Sequence, residues 1–292
     1  MSLSLLRRRA NMTPPVYVFS VTASRLVRFS PGNLQYRAST KVWRFAPHQY
    51  DYVGDDTNGT VYVGSTKSDN AKISSSYSGW IDLFGWGTSG YNKKYPYMTS
   101  TTNTDYGNGT GNLNSTNYDW GRYNSISNPK TGATDPAGTW RIMTRAEWNY
   151  LMFERSGPTV NGTSNARYTK ATLTTSDGKS VKGLILFPDN YQGTRPSGVT
   201  WGAINGNTET RTTCTASGWD ALEKLGCVFL PICGFRKGTT VGGVTKTQQN
   251  YYWTATHSST DKAYYLMCNT VEPAIFADPR HWGLGVRLVK TI

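Results

Sequence analysis

The chain has 292 residues, enough to bury one large core or two modest ones. Charged residues make up only 17% and apolar residues 37%, with 10 Trp and 19 Tyr among many Gly, Ser, Thr and Asn, a mix too aromatic for disorder. The formal net charge is +13, but outside Arg7, Arg8 and Arg9 the basic residues are scattered singly or in isolated pairs, unlike the clustered stripe of a nucleic-acid binder, and no apolar run approaches the roughly 20 residues needed to span a bilayer.

In chain order, residues 1–15 read as a flexible basic leader. Its basic run follows the only apolar residues and no long apolar region comes after it, so it is a poor secretory signal. Pro14-Pro15 marks the boundary of one domain over 16–292, with a β-rich lead-in over 16–54. Val16 to Thr22, Leu26 to Ser30, Leu34 to Tyr36 and Val42 to Phe45 read as strands, with a tight turn at Pro31-Gly32-Asn33. Residues 51–79 read as loop. Asp55, Asp56, Asn58 and Gly59 supply oxygen ligands that suit calcium, but their spacing fits a polar turn better. Gly85 to Gly90 spells G-x-G-x-x-G, yet no helical period follows it, which excludes a dinucleotide site and leaves a glycine-rich loop around Trp86. Residues 100–137 form a long Asn/Gly/Thr/Tyr segment of a kind that is usually functional or packed on itself.

The best-specified stretch is TWRIMTRAEWNYLMFE, 139–154. Thr144 and Glu147 have capping-box spacing, Met143 and Trp148 have staple spacing, and Trp148, Leu151 and Met152 form one apolar stripe. A short amphipathic helix is expected, with Glu147 as a cap rather than a catalytic acid. A β-hairpin is expected around Asp177-Gly178, joining 166–174 to 181–187. A second helix is expected over Ala216 to Leu225, stopped by Gly226. Cys227 to Phe235 reads as one buried extended run, which would hold Cys227 and Cys233 roughly 20 Å apart, beyond bridging distance. With Cys214 and Cys268 isolated, free structural thiols are expected. Tyr251 to Ala255 and Ala263 to Met267 read as paired strands, and Leu284, Val286 and Leu288 share one face of a closing strand. The class is α+β: two short helices around mixed, mostly antiparallel strands, with long irregular insertions.

Between the last two strand regions lies VEPAIFADPRHW, 271–282. Pro273 and Pro279 argue against a regular helix or a central strand, and the adjacent Ile275-Phe276 pair does not suit one core. An irregular loop showing Ile, Phe, His and Trp to solvent has the composition of a contact surface. On strand parity, Tyr264 and Leu266 are expected to face the core, and Tyr265 and Met267 to face outward beside this loop.

The pattern W-R-x-x-T-x-x-E-W-x-x-L, Trp140 to Leu151, resembles the helix motif of the formylglycine-generating-enzyme-like branch of the C-type lectin fold. VRFSPGNLQY (27–36), WRFAPHQYDYVG (43–54), GWIDLFGWGTSGY (79–91), VFLPICGFR (228–236) and WGLGVRLVK (282–290) look like segments of a large gut-bacterial family with this fold, so the resemblance covers nearly all of 16–290. Within it, the region 252–290 is similar to the variable region of proteins diversified by retroelements. The resemblance implies that Tyr252, Trp253, Ala263, Tyr264, Leu266, Pro273, Arg280, Gly283 and Val286 to Val289 are framework. It makes His257, Tyr265, Met267, Asn269, Ala274, Ile275, Phe276, Ala277, Asp278, His281 and Trp282 the ligand-binding positions. Met267 and Trp282 are not reached from an asparagine codon by changing adenines alone.

What it implies for function is a ligand- or receptor-binding protein on a cell surface or phage particle. The expected partner is a protein or glycan, with no nucleic acid, no membrane insertion, no cofactor and no metal. A third reading is a purely structural surface or virion adhesin without diversification, and the rival implication is a copper-dependent oxidase of the formylglycine-generating kind. Such an enzyme needs two cysteines near the C-terminus, and no cysteine follows Cys268. Glu272-Pro273-Ala274 departs in its third residue from the Glu-Pro-Asn motif of sugar-binding C-type lectins, and no Trp-Asn-Asp partner occurs, so calcium-dependent sugar binding is not expected. No nucleophile motif accompanies His48, His257 or His281, and catalysis is not expected.

Overall fold

The computed structural model describes residues 16–54, 68–206, 208–243, 249–268 and 273–292. The expected leader, the Asp55–Gly59 turn, Asn269 and Glu272 lie outside the described residues. In chain order the elements are β1 (Phe19–Thr22), β2 (Arg25–Phe29), β3 (Leu34–Arg37), β4 (Val42–Phe45), a one-turn α1 (Trp120–Tyr123), β5 (Ile126–Asn128), β6 (Ala133–Asp135) and α2 (Arg145–Asn149). Then come β7 (Tyr168–Thr174), β8 (Ser180–Leu186), β9 (Val199–Thr200), β10 (Thr212–Cys214), α3 (Ala216–Lys224), β11 (Val228–Pro231), β12 (Phe235–Lys237) and β13 (Thr240–Gly242). The last four are β14 (Asn250–His257), β15 (Lys262–Cys268), β16 (Pro273–Pro279) and β17 (Val289–Thr291). The class is α+β.

Local signals account for the elements that were expected. The Thr144 hydroxyl accepts from the Glu147 N–H at 3.2 Å, and the Glu147 carboxylate accepts from the Thr144 N–H at 2.9 Å, closing the capping box that starts α2. Five residues on, the helix widens into a π-helical turn over Tyr150–Glu154, so the stripe of Trp148, Leu151 and Met152 still reaches the core. In α3, Thr215 caps the Gly218 N–H at 3.1 Å, and Gly226 ends the segment at φ +80°, where a Cβ would strike the Tyr17 ring. The β7–β8 hairpin turns at Asp177-Gly178 as expected.

Sheet order is β11-β8-β7-β10-β9 for the largest sheet, β3-β4-β5-β6 for the second and β14-β15-β16 for the third. β17 pairs antiparallel with β2, tying the C-terminal strand to the first hairpin. Two strand pairs, β7–β10 and β4–β5, are parallel, and the other named pairs are antiparallel. The 100–137 segment is less irregular than expected: it contributes α1, β5 and β6, and its Trp120 is fully buried.

Two apolar cores result. The first packs α2, its π-helical turn and α3 against the five-stranded sheet. The second is aromatic, gathering Trp43, Trp86, Trp120, Trp140 and Trp253 around Phe84 and the 284–288 segment. The β14–β15 pair separates them. Tyr252 and Leu266 face the first core, while Tyr251, Trp253, Ala263 and Tyr265 face the second.

This layering corrects two expectations. The parity read for β15 holds, but Tyr265 is buried at 5% exposure, because the second core covers the face read as solvent. Tyr264, read as facing the core, is half-buried beneath the Arg145 guanidinium, 4.2 Å from its ring centroid. The stretch read as an irregular loop is largely the strand β16, in register with β15 from Lys262↔Pro279 to Cys268↔Pro273. Its prolines stand at the two ends of an edge strand, a place where a missing N–H is tolerated. Cys227 to Phe235 is likewise not one run: β11 stops at Pro231 and β12 begins at Phe235. The closing strand is β17, and Leu284, Val286 and Leu288 are buried in the second core just before it.

Candidate binding surface

The third sheet carries the candidate site. Register places Tyr251 and Trp253 of β14, Tyr265 and Met267 of β15, and Ala274, Phe276 and Asp278 of β16 on one face. Aromatic rings run across it in a continuous series. Trp282 stacks on Phe235 (centroids 5.6 Å, interplanar 26°), and Phe235 meets Tyr251 edge-on at 5.4 Å. Tyr251 lies 5.4 Å from Tyr265, and Tyr265 lies 6.3 Å from Phe276. Tyr251 and Tyr265 form a buried floor, Phe235 and Trp282 are half-buried, and Phe276 is 45% exposed.

Charge is divided between the ends of this series. The Lys237 ammonium sits 3.6 Å from the Trp282 ring centroid, a cation–π contact. At the other end the Asp278 carboxylate accepts from the Tyr265 hydroxyl at 2.7 Å. Burial pushes the Tyr251 phenol up to about 12, with the Asp278 charge adding to it. Burial and then Asp278 push the Tyr265 phenol higher still. Both remain neutral donors near pH 7. Burial and the Lys237 charge hold His281 below its ordinary value against the opposing pull of the Asn103 backbone, so it is neutral there too.

The residues singled out from the sequence therefore separate by position. Tyr265, Met267, Ala274, Phe276 and Asp278 share the face, and Trp282 joins it through Phe235. Ile275 and Ala277 point to the opposite face: Ile275 packs on the first core and Ala277 stands opposite Tyr264. His257 lies at the end of β14, its Nδ1 2.7 Å from the Asn112 side-chain oxygen, beside the 100–117 segment. That segment is held in place by Arg280, which is buried and donates to the carbonyls of Tyr106, Gly109 and Ser259 while lying 4.5 Å from the Trp86 ring centroid. Arg280 thus braces the end of β16 against two loops.

Phe235, Lys237 and Tyr251 were missed by sequence reasoning. Alternation along Tyr251-Tyr252-Trp253 places Tyr251 and Trp253 together, but nothing local brings β12 beside them. The four cysteines are buried and unpaired as expected, and burial pushes the Cys214 and Cys233 thiols up to about 12. Among the described residues no three His, Cys, Asp or Glu side chains converge as a metal site would require, and no helix is long and apolar enough to cross a membrane. No protein-family model, curated protein or solved structure matches this chain.

Proposed function

We propose that this chain is a binding protein of C-type lectin fold, similar to the variable proteins of diversity-generating retroelements, whose aromatic face on β14–β16 engages a protein or glycan on a cell or phage surface. One observation carries the reading. Of the positions taken as framework, Tyr252, Trp253, Ala263, Leu266, Pro273, Arg280, Gly283 and Val286 to Val289 are all buried. Of the positions taken as variable, His257, Met267, Ala274 to Asp278, His281 and Trp282 are all at least partly accessible. Tyr264 and Tyr265 exchange these roles.

This division suits a scaffold that tolerates side-chain replacement on one surface. Main-chain pairing from Pro273 to Pro279 fixes the backbone independently of which side chain stands at 274, 276 or 278. A few aromatic anchors would carry most of the affinity, with a charged rim setting orientation. An oxidase of the formylglycine-generating kind lacks support in the sequence, where Cys268 has no second cysteine after it.

The test is direct binding of the purified chain to glycan arrays and to bacterial cells, compared with a Phe276→Ser, His281→Ser, Trp282→Ser variant. Saturable binding lost in a variant that melts like the parent supports the reading; equal binding by both moves the site elsewhere. A reverse transcriptase gene beside a near-copy of the 3′ coding end would independently support diversification.

A further inference from the structure

The β3–β4–β5 sheet has a second face, turned away from the aromatic core. Leu34, Tyr36, Trp43 and Phe45 point into that core. Alternation then puts Gln35, Arg37 and Arg44 on the other side, with Arg44 standing between Gln35 of β3 and Ser127 of β5 in the strand register. Trp80 lies over this face and packs with Val53, apart from the two main cores. The Arg44 guanidinium carbon is 3.6 Å from the Trp80 ring centroid and that of Arg37 is 4.3 Å from it, so two cations share one indole.

Among the described residues neither cation has a carboxylate partner. Arg37 makes no side-chain hydrogen bond, and Arg44 makes one, from Nε to Gln35 Oε1 at 2.9 Å. Asp51, whose charge acts on Arg44, is already engaged by the His48 N–H at 2.9 Å and by His48 Nδ1 at 3.2 Å. Gln35 is fully buried, and its Nε2, Arg37 Nε and Arg44 Nη2 are sealed from solvent without an acceptor. Its amide orientation is fixed, because only the oxygen can accept from Arg44 Nε. A guanidinium over an indole uses its flat face and leaves the N–H groups of its rim to be answered elsewhere. Arg37 Nη1 and Nη2 and Arg44 Nη1 also lack partners but are not sealed, and both arginines are half-buried, so the pair opens to solvent on one side. Burial, and then the Arg37 charge, push the Arg44 guanidinium down to about 10 against the pull of Asp51.

Two unanswered like charges held side by side call for an anion. The acceptors at hand are spent, Gln35 Oε1 on Arg44 and Asp51 on His48. A carboxylate has two oxygens and is answered by one guanidinium fork. A tetrahedral oxyanion has oxygens in several directions and more charge, so it can accept from two forks at once. We propose that Arg37 and Arg44 form a site for a tetrahedral oxyanion, phosphate or sulfate, free or carried as an ester on a ligand. Their open nitrogens meet the anion first, Gln35 positions Arg44, and Trp80 holds both guanidinium groups in place. The site lies on a different sheet from the aromatic face and does not depend on the function proposed for that face.

The experiment titrates the full chain with inorganic phosphate, sulfate, methyl phosphate, methyl sulfate and acetate at constant ionic strength, followed by tryptophan fluorescence and by NMR of the arginine side chains. Phosphate and sulfate should bind saturably and about tenfold more tightly than acetate. A methyl ester that binds at least as tightly as its free ion assigns the site to an esterified ligand, and a weaker one assigns it to the ion itself. Arg37→Gln gives up no hydrogen bond within the chain, so it should melt like the parent while weakening binding about tenfold. Arg37→Lys, which keeps the charge but loses the fork, should fall between the two and guards against misfolding of the Gln variant. Phe276→Ser should bind the anions like the parent. No saturable response at tens of millimolar, acetate binding as tightly as sulfate, or affinity unchanged in Arg37→Gln would each overturn the proposal.

Discussion

The Tyr265 hydroxyl donates to the Asp278 carboxylate at 2.7 Å across the β15–β16 pair, from a side chain that is 5% exposed to one at the open edge of the sheet. The bond ties the edge strand to the floor of the aromatic face. It also places a position grouped with the variable ones inside the second core. Tyr265→Phe should cost about 1 kcal/mol, the net worth of one hydrogen bond. Tyr265→Ala should cost about 3–5 kcal/mol through the cavity it leaves. Chemical denaturation of the two variants checks this, and an Ala variant as stable as the parent would remove Tyr265 from the core.

The α2 cap is a stability element remote from the binding face. Thr144→Ala should lower stability by about 1 kcal/mol through the lost cap. Trp148→Ala should lower it by about 3–5 kcal/mol, because the ring is fully buried in the first core. Trp148→Phe should cost less, since the Trp148 indole N–H is buried without a hydrogen-bond partner among the described residues. Ligand specificity should not change in any of the three, as binding assays would show.

Glu147 makes stability depend on pH. Burial pushes its carboxyl up, but bonds from Arg141 at 2.8 Å, the Thr144 N–H and Arg25 outweigh that and hold it below its ordinary value. An unfolded glutamate titrates near about 4.3. A lowered folded value means that the contribution is present above that pH and lost as pH falls through the folded pKa. Glu147→Gln should therefore be less stable than the parent at pH 7 and should lose less on going from pH 5 to 3. Parallel acid slopes in the two proteins would count against the network.

The two faces of β16 should respond differently to substitution. Phe276→Ser exchanges an exposed ring and should change stability by no more than about 0.5 kcal/mol. Ile275→Ser removes an apolar side chain from the edge of the first core and should cost about 1–2 kcal/mol. Thermal melts that rank these two in the reverse order would contradict the strand register.

All four thiols should be inert in the native state. Each is buried, and burial raises each thiol above its ordinary value. A disulfide-exchange reagent should label no cysteine of the native chain and all four after unfolding in guanidinium. Rapid labelling of one cysteine in the native protein would place it at the surface.

The amino-acid sequence alone determined the elements whose signals lie within one or two turns of chain. The α2 capping box, the stop of α3 at Gly226, the Asp177-Gly178 hairpin and the lack of an α-helix directly after Gly85–Gly90 all rest on neighbours a few residues apart. Alternation also sorted β15 into two faces. It could not say which face meets water, because parity is relative, and the second core that covers Tyr265 is assembled from residues such as Trp43 and Trp86, far away in the chain. Only the tertiary structure turned 273–279 into a strand, since an edge strand draws its bonds from a neighbour and tolerates prolines at its ends. It alone brought Phe235 and Lys237 of β12 beside Trp282, a juxtaposition set by the bridge between Arg236 and Gly283 rather than by any local preference.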